Sequence, residues 1–295
     1  MRTPPRMVGF IGLGAMGRPM AANLADAFPT KVYNRTTAVA MSHEQEHGSV
    51  AVADLEDLAD VDVVCTCLPT DVEVASVAER LGPRLSPGTI WLDHTSGAPS
   101  GAREVTAALE RADVHYLDAP VSGGTDGAAA GTLTAMVGGD PDVLDAAMPV
   151  LEAMMGRVVH VGPVGAGMAV KAVSNALLAT HLWSAAEGLA ALTKAGVPAS
   201  RALEVFNGAT SRSFASERLL PEHAITREFP VTFALSLLAK DVDLAGGVLA
   251  DAGFDGPVLD LVRQLTRSAS EELGPDAGHV ELVRIVERAA GVELR

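Results

Sequence analysis

The sequence is poor in cysteine, in positive charge and in uninterrupted apolar stretches, and each shortage closes off a class of protein. Its only two cysteines, Cys65 and Cys67, stand two residues apart on an apolar, strand-like run, so both thiols fall on one face. That spacing suits neither a CxxC redox pair nor a cysteine zinc site, and the pair reads as small core residues in a reducing compartment. Lys and Arg number 22 against 37 Asp and Glu, a net charge of −15, and such a field repels phosphate backbones and acidic membrane surfaces. Nucleic acid and membrane are therefore not expected partners, although a local basic pocket for one small anion is compatible with the balance. The longest apolar helical stretch, 175–196, is interrupted by His181, Glu187 and Lys194, which makes it a poor membrane span. Repeats and low-complexity segments are absent, and the expected location is the cytoplasm.

What is present is a chain of 295 residues, 48% hydrophobic and 20% charged, enough for two ordinary globular domains of about 100 to 200 residues each. Up to about residue 162, short β-rich runs alternate with helical ones: MVGFI, then GAMGRPMAANLAD; KVYN, then TTAVAMSHEQEH; DVVCTCL, then DVEVASVAERL; TIWLD, then PSGAREVTAALERA. VHYLDAP, TLTAMVGG, a helix near 142–154 and VVHVG complete the series. Alternation with such short connections predicts an α/β fold with a doubly wound, mostly parallel sheet. After Val161, Gly162 and Pro163 the pattern changes. Gly165-Ala166-Gly167 opens a helical run to about Ala195, and 200–207, 214–222, 231–251, 257–273 and 278–289 all read as helix, punctuated by Pro and Gly. The expected division is a domain at 1–163 and an all-α domain at 164–295 that begins with one long helix.

The first strand runs directly into Gly12-Leu13-Gly14-Ala15-Met16-Gly17 and an Ala-rich helix. In that setting Gly12 permits a tight turn, Gly14 lets the backbone approach a pyrophosphate, and Gly17 lets helix and strand pack closely, with the N–H groups of the helix start facing the anion. A dinucleotide site is the expectation, and the stretch Met7–Gly17 reads as its turn rather than as a secretory leader. About 20 residues further on, an NAD-type site usually supplies a carboxylate to the ribose hydroxyls, whereas this chain has Tyr33-Asn34-Arg35-Thr36. Asn34 and Thr36 can donate to a phosphate, and the Arg35 guanidinium can pair with a 2′-phosphate. NADP(H) is therefore expected over NAD(H); the plainer alternative makes Arg35 a solvated surface residue and Asn34 a cap of the next helix.

The extended glycine motif GFIGLGAMGRPMAANL, the segment Asp118-Ala119-Pro120-Val121-Ser122-Gly123-Gly124, the segment from Gly165 through Lys171 to Asn175, and Lys240-Asp241 occur in the order seen in β-hydroxyacid dehydrogenases. The chain resembles that family, and within it the 3-hydroxyisobutyrate dehydrogenase branch. The resemblance implies a Rossmann-type domain, a long connecting helix and a helical C-terminal domain. It also implies NAD(P)-dependent interconversion of a small hydroxy acid and its semialdehyde without a metal, and a homodimer or homotetramer formed through the helical domain.

Lys171 and Asn175, at i and i+4 on a helix, fall on one face and can reach one small molecule. A partly buried lysine near a helix N-terminus has its pKa pushed downward, which suits proton exchange near neutrality. Read alone, Lys171 is as readily an exposed lysine on an amphipathic helix; what the resemblance implies is the acid–base catalyst, with Asn175 holding the same oxygen or a carboxylate. Ser122, Gly123 and Gly124 read either as a plain glycine turn with no ligand or, as the resemblance implies, as a candidate nest for the substrate carboxylate. Leu68-Pro69 and the Thr95-Ser96 pair, at strand ends beside the expected cofactor crevice, are candidate cofactor contacts, with the choice between the two hydroxyls open. Lys240 is expected near the substrate end of the cofactor, with Asp241 as partner. Phe233 and Ser211-Arg212-Ser213-Phe214 are candidates for selecting the substrate tail.

His43-Glu44-Gln45-Glu46-His47 matches HExxH, yet it lies on a polar helix without a downstream third ligand, so zinc chemistry is not expected. His94, just past a strand end, reads as a loop residue lining the cofactor site. Rival readings stay open: an imine reductase-like enzyme, which typically lacks a lysine at position 171; a reductase of tartronate or succinic semialdehyde or of glyoxylate; and a non-catalytic NADP-binding scaffold.

Overall fold

The computed structural model describes residues 5–295, and residues 1–4 of the first expected domain lie outside the described part. Nine strands form one sheet: β1 (Val8–Ile11), β2 (Thr30–Tyr33), β3 (Val50–Ala51), β4 (Val63–Thr66), β5 (Ile90–Asp93), β6 (His115–Asp118), β7 (Val121–Ser122), β8 (Leu133–Gly138) and β9 (Met155–Gly162). Their spatial order is β3-β2-β1-β4-β5-β6-β8-β7, with β9 paired to β8. Every pair from β3 across to β6 is parallel, as is β8 with β9, and only the contacts of β8 with β6 and β7 are antiparallel. The order reverses between β1 and β4, the switch point outside whose carboxyl ends such sheets bind ligands.

The strands are short apolar runs because helices cover both faces. Along β1, Phe10 points into a core with Leu24, Leu92, Leu117 and Val137, while Ile11 points the opposite way into a core with Val64, Leu81, Trp91 and Leu109. The covering helices are α1 (Gly17–Ala27), α2 (Thr37–His47), α3 (Asp71–Leu81), α4 (Pro99–Leu109), α5 (Gly124–Ala130) and α6 (Pro141–Glu152). Their starts follow local chemistry. Thr70 accepts the Val72 N–H at 3.2 Å, Asp140 accepts those of Asp142 and Val143 at 2.7 and 3.3 Å, and proline occupies the first position of α4 and α6, where its missing N–H costs nothing.

The α7 helix (Ala166–Lys194) is continuous for 29 residues. The chain forms two compact units, one ending at Lys171 and the other beginning at Ala172, so the division falls inside α7. The second unit contains α8 (Ala199–Gly208), a π-helical stretch Ala215–Ile225, α9 (Leu235–Asp251), α10 (Pro257–Leu273) and α11 (Val283–Ala290). Its β structure, among the described residues, is a single bridge between Ala234 and Gly278. The buried stripe Ala172, Ala176, Ala179, Trp183, Ala186 and Ala190 lies at helical spacing along α7. Small side chains on it let neighbouring helices approach closely, and the Trp183 indole donates to Thr266 Oγ1 at 3.1 Å. No helix among the described residues is long and apolar enough to cross a membrane.

Candidate functional site

The carboxyl ends of β1, β2, β4 and β5 converge on the glycine loop. Gly12 has φ +100°, and a Cβ there would sit 2.3 Å from the Cys67 carbonyl oxygen and 2.8 Å from the Leu68 side chain. At Gly17 a Cβ would fall 1.9 Å from the Gly12 carbonyl oxygen. These two glycines are demanded by the fold itself. Around Gly14, by contrast, no atom beyond its chain neighbours lies within 4 Å of the place a Cβ would take, so its lack of a side chain serves no internal contact. An open backbone at the second glycine, beside the first turn of α1, is what a pyrophosphate needs in order to approach, and the loop thus fits a dinucleotide.

The β2 end is joined to this loop. The Leu13 N–H donates to Asn34 Oδ1 at 3.1 Å, while Asn34 Nδ2 donates to the Thr36 carbonyl at 3.2 Å. Asn34 therefore braces the glycine loop, and the N-cap position of α2 is occupied by Thr36 instead. Arg35 and Thr36 are exposed beside it. Across the switch point, the Leu68 N–H donates to Thr95 Oγ1 at 3.1 Å. Thr95 is buried, with its hydroxyl engaged inside the protein, whereas Ser96 is half-buried and Pro69 exposed at the crevice lip.

Behind Thr95 lies a carboxylate to which pattern reading gave no role. Asp93 is buried and accepts from Thr66 Oγ1 (2.9 Å), the Tyr116 hydroxyl (2.8 Å) and the Thr95 N–H (3.0 Å), and the Trp91 indole donates in turn to Thr66 Oγ1 at 3.2 Å. Burial pushes the Asp93 carboxyl up to about 6, against those donors. The network fixes the ends of β4 and β5 relative to each other. His94, on the opposite face, is equally buried; one ring nitrogen bonds the Ala119 carbonyl at 2.9 Å, the other lacks a partner, and burial holds its pKa down at about 4. A neutral ring shut away from solvent is not placed for proton exchange with a substrate.

Ser122 ends β7, half-buried, and is followed by Gly123 at φ +138° and Gly124 at φ +65°. Four residues upstream, Asp118 ends β6, fully buried. Its Oδ1 accepts the Gly165 N–H at 2.8 Å and its Oδ2 the Met168 N–H at 2.9 Å. This carboxylate caps α7 from another strand, and burial raises its pKa while those amide donors oppose the rise. Lys171 follows on the same helix, half-buried, and Asn175 lies one turn beyond it, 6% exposed. Asn175 Nδ2 donates to Asp241 Oδ2 at 2.6 Å, and Lys240 Nζ lies 3.4 Å from Asp241 Oδ1. Asp241, 3% exposed, thus orients the Asn175 carboxamide as well as pairing with Lys240.

The other sequence candidates take separate places. Phe233 is half-buried and edge-on to His279, with ring centroids 5.6 Å apart, and Phe214 is exposed at the start of the π-helical stretch, where Ser213 and Ser216 exchange backbone-to-hydroxyl bonds of 2.9 and 3.1 Å. His43 of the HExxH pattern is fully buried, with Ser49 Oγ at 2.8 Å and the Arg18 carbonyl at 3.2 Å on its two nitrogens. Both ring nitrogens are used in holding α2 to its neighbours.

Comparison with known proteins covers most of the chain. Residues 7–162 match the family model for the NAD binding domain of 6-phosphogluconate dehydrogenase, and residues 165–286 that for NAD-binding of NADP-dependent 3-hydroxyisobutyrate dehydrogenase. A probable 3-hydroxyisobutyrate dehydrogenase of Mycobacterium tuberculosis is 36% identical over 258 residues, 85% of this chain and 88% of that protein. The NAD-dependent L-serine dehydrogenase of Pseudomonas aeruginosa is 34% identical over 272 residues, 89% of this chain and 91% of that protein. A solved structure of Mycobacterium tuberculosis 3-hydroxyisobutyrate dehydrogenase with L-serine superposes with a TM-score of 0.89 at 32% identity, covering 95% of this chain and 99% of that one.

Proposed function

Because the chain belongs to the β-hydroxyacid dehydrogenase family, we propose that it interconverts a small 3-hydroxy acid and its semialdehyde with NADP(H), using Lys171 as general acid and base. The observation that carries this reading is the pairing, one turn apart on α7, of a half-buried lysine with a carboxamide locked by a buried aspartate. A fixed amide beside a titratable ammonium is what an alcohol–carbonyl couple requires: one group orients the reacting oxygen and the other exchanges its proton.

When bound, the cofactor supplies the hydride acceptor or donor. In the oxidative direction Lys171, as the neutral amine, takes the hydroxyl proton; in reduction its ammonium returns that proton to the carbonyl oxygen. Asn175 holds the same oxygen or the carboxylate, and Ser122 with the backbone of Gly123 and Gly124 receives the carboxylate. The relatives' names, 3-hydroxyisobutyrate and L-serine, describe 3-hydroxypropanoates that differ at carbon 2, so the proposed substrate is a short acid of that frame.

Preference for the 2′-phosphorylated cofactor is supported by the absence of a carboxylate over 34–36 and by the exposure of Arg35 and Thr36. Ser96, half-buried where Thr95 is buried with its hydroxyl engaged, is the proposed cofactor contact of the Thr95-Ser96 pair. Arg35→Ala is expected to raise KM for NADP by about 10- to 100-fold, the worth of a charge-assisted hydrogen bond, and to leave KM for NAD almost unchanged. Steady-state kinetics with both cofactors checks this. The substrate proposal is tested by following nicotinamide absorbance over a panel of 3-hydroxy acids and their semialdehydes. Turnover of a 2-substituted 3-hydroxypropanoate supports it, and NADPH binding without turnover of any member contradicts it.

A further inference from the structure

The carboxylate of Asp118 is directed at the start of α7. Its Oδ1 accepts the amide of Gly165 just before the helix and its Oδ2 that of Met168 at the third helical position, at 2.8 and 2.9 Å. A Cβ on Gly138 would stand 2.5 Å from Oδ1, and one on Gly167 2.8 Å from Oδ2, so two glycines from different elements leave the space that this carboxylate fills. The negative charge faces the positive end of the helix dipole. Asp118 is also the last residue of β6, paired with Gly138 of β8, and Ser122 follows four residues later on β7, itself paired with Thr134 of β8. One side chain therefore ties the strand end that leads to Ser122 to the turn of α7 that leads, three residues on, to Lys171.

We infer that Asp118 is a positioning residue, which sets the rotation and depth of the first turn of α7 and so holds Lys171 in register with Ser122. The inference rests on the dehydrogenase reading above. A helix start held by two bonds from a rigid strand end cannot turn or slide without breaking one of them. Loss of the clamp displaces Lys171 at the reacting oxygen, whereas the glycine loop, on β1 and α1, keeps its own supports. The consequence is a selective loss of the chemical step.

The test uses Asp118→Asn, which keeps the volume and one acceptor oxygen, and Asp118→Ala, which keeps neither. For Asp118→Ala, kcat is expected to fall about 100-fold, the effect of an ångström-scale misplacement, with KM for the hydroxy acid and the dissociation constant of NADPH unchanged. Asp118→Asn restores part of kcat, and hydrogen exchange at the Gly165 and Met168 amides speeds up in both. If Asp118→Ala does not fold, the Asn variant alone decides. Wild-type kcat in a variant whose amides exchange fast overturns the inference, as does a parallel decline of kcat, NADPH affinity and folded fraction, which marks a purely structural acid. A wild-type enzyme inert on every substrate overturns the dehydrogenase reading itself, and the wild-type control in the same assay tells that failure from the other.

Discussion

Lys171→Ala is expected to lower kcat by about 10²- to 10⁴-fold, the range for loss of a general acid–base group, while NADPH affinity stays at the wild-type value. The separation follows from where the groups lie. The cofactor candidates Gly12, Gly14, Gly17 and Asn34 are supported by β1, β2 and α1, whereas Lys171 stands on α7. Lys171→Arg separates proton transfer from charge. An arginine keeps a cation but does not give up its proton in the accessible pH range, so its activity is expected near that of the alanine variant. Full activity with arginine would mean that residue 171 acts as a fixed charge only. Kinetics of both variants, with NADPH binding measured by fluorescence, check the prediction.

Stability toward acid is expected to fall between about pH 6.5 and about pH 4, and buried histidines are the cause. His94 and His279 are each 3% exposed, and burial holds both down at about 4, against the carbonyl bonds to Ala119 and Phe233 that favour protonation. A depressed pKa contributes stability that is complete above the unfolded value near 6.5 and is lost as pH falls through about 4. Each histidine contributes up to about 3 kcal/mol at 1.36 kcal/mol per unit. Asp93, raised to about 6, works the other way: its contribution is full below its unfolded value near 3.8 and is lost as pH rises through about 6. Asp118 is raised as well and shares that direction. His94 and His279 together outweigh Asp93 by about 3 kcal/mol on acidification, large beside a total of about 5 to 15 kcal/mol, with the lowered His43 adding to that loss and Asp118 offsetting part of it. In His94→Asn the side-chain amide can keep the bond to the Ala119 carbonyl, while the buried ring nitrogen that lacks a partner is gone. Denaturant unfolding across this range is expected to show a loss about 3 kcal/mol smaller for that variant. An unchanged acid limb would remove His94 from the account.

The glycine loop was legible because its constraints are local. Gly12, Gly14 and Gly17 stand at a fixed spacing after an apolar run, and two of the three are set by atoms within a few residues or on the adjacent strand. The alternating sheet was legible for the same reason. The two-residue strands β3 and β7 and the seven-residue α5 were not, since segments that short carry no period and exist only where neighbours supply hydrogen bonds. Long-range carboxylates were hidden as well. Asp118 meets Gly165 and Met168 across 47 and 50 residues, Asp93 meets Thr66 across 27, and Asp241 meets Asn175 across 66. Only the fold brings those pairs together. One signal was available: glycines at 138 and 167, each too crowded for a Cβ, and Gly165 at φ +91° mark close approach around the start of α7. His43 is the converse case, a local pattern suggestive of zinc that tertiary packing uses as a core residue.

The central claim is direct hydride transfer at the carbinol carbon of a 3-hydroxy acid, and isotopic labelling tests it most directly. With a 2-substituted 3-hydroxypropanoate deuterated at carbon 3 and NADP, the account predicts that deuterium appears on the reduced nicotinamide and that kcat/KM shows a primary isotope effect, lost together with turnover in Lys171→Ala. Turnover that leaves the cofactor unlabelled, or an enzyme that binds NADP and never oxidises the labelled acid, would contradict it.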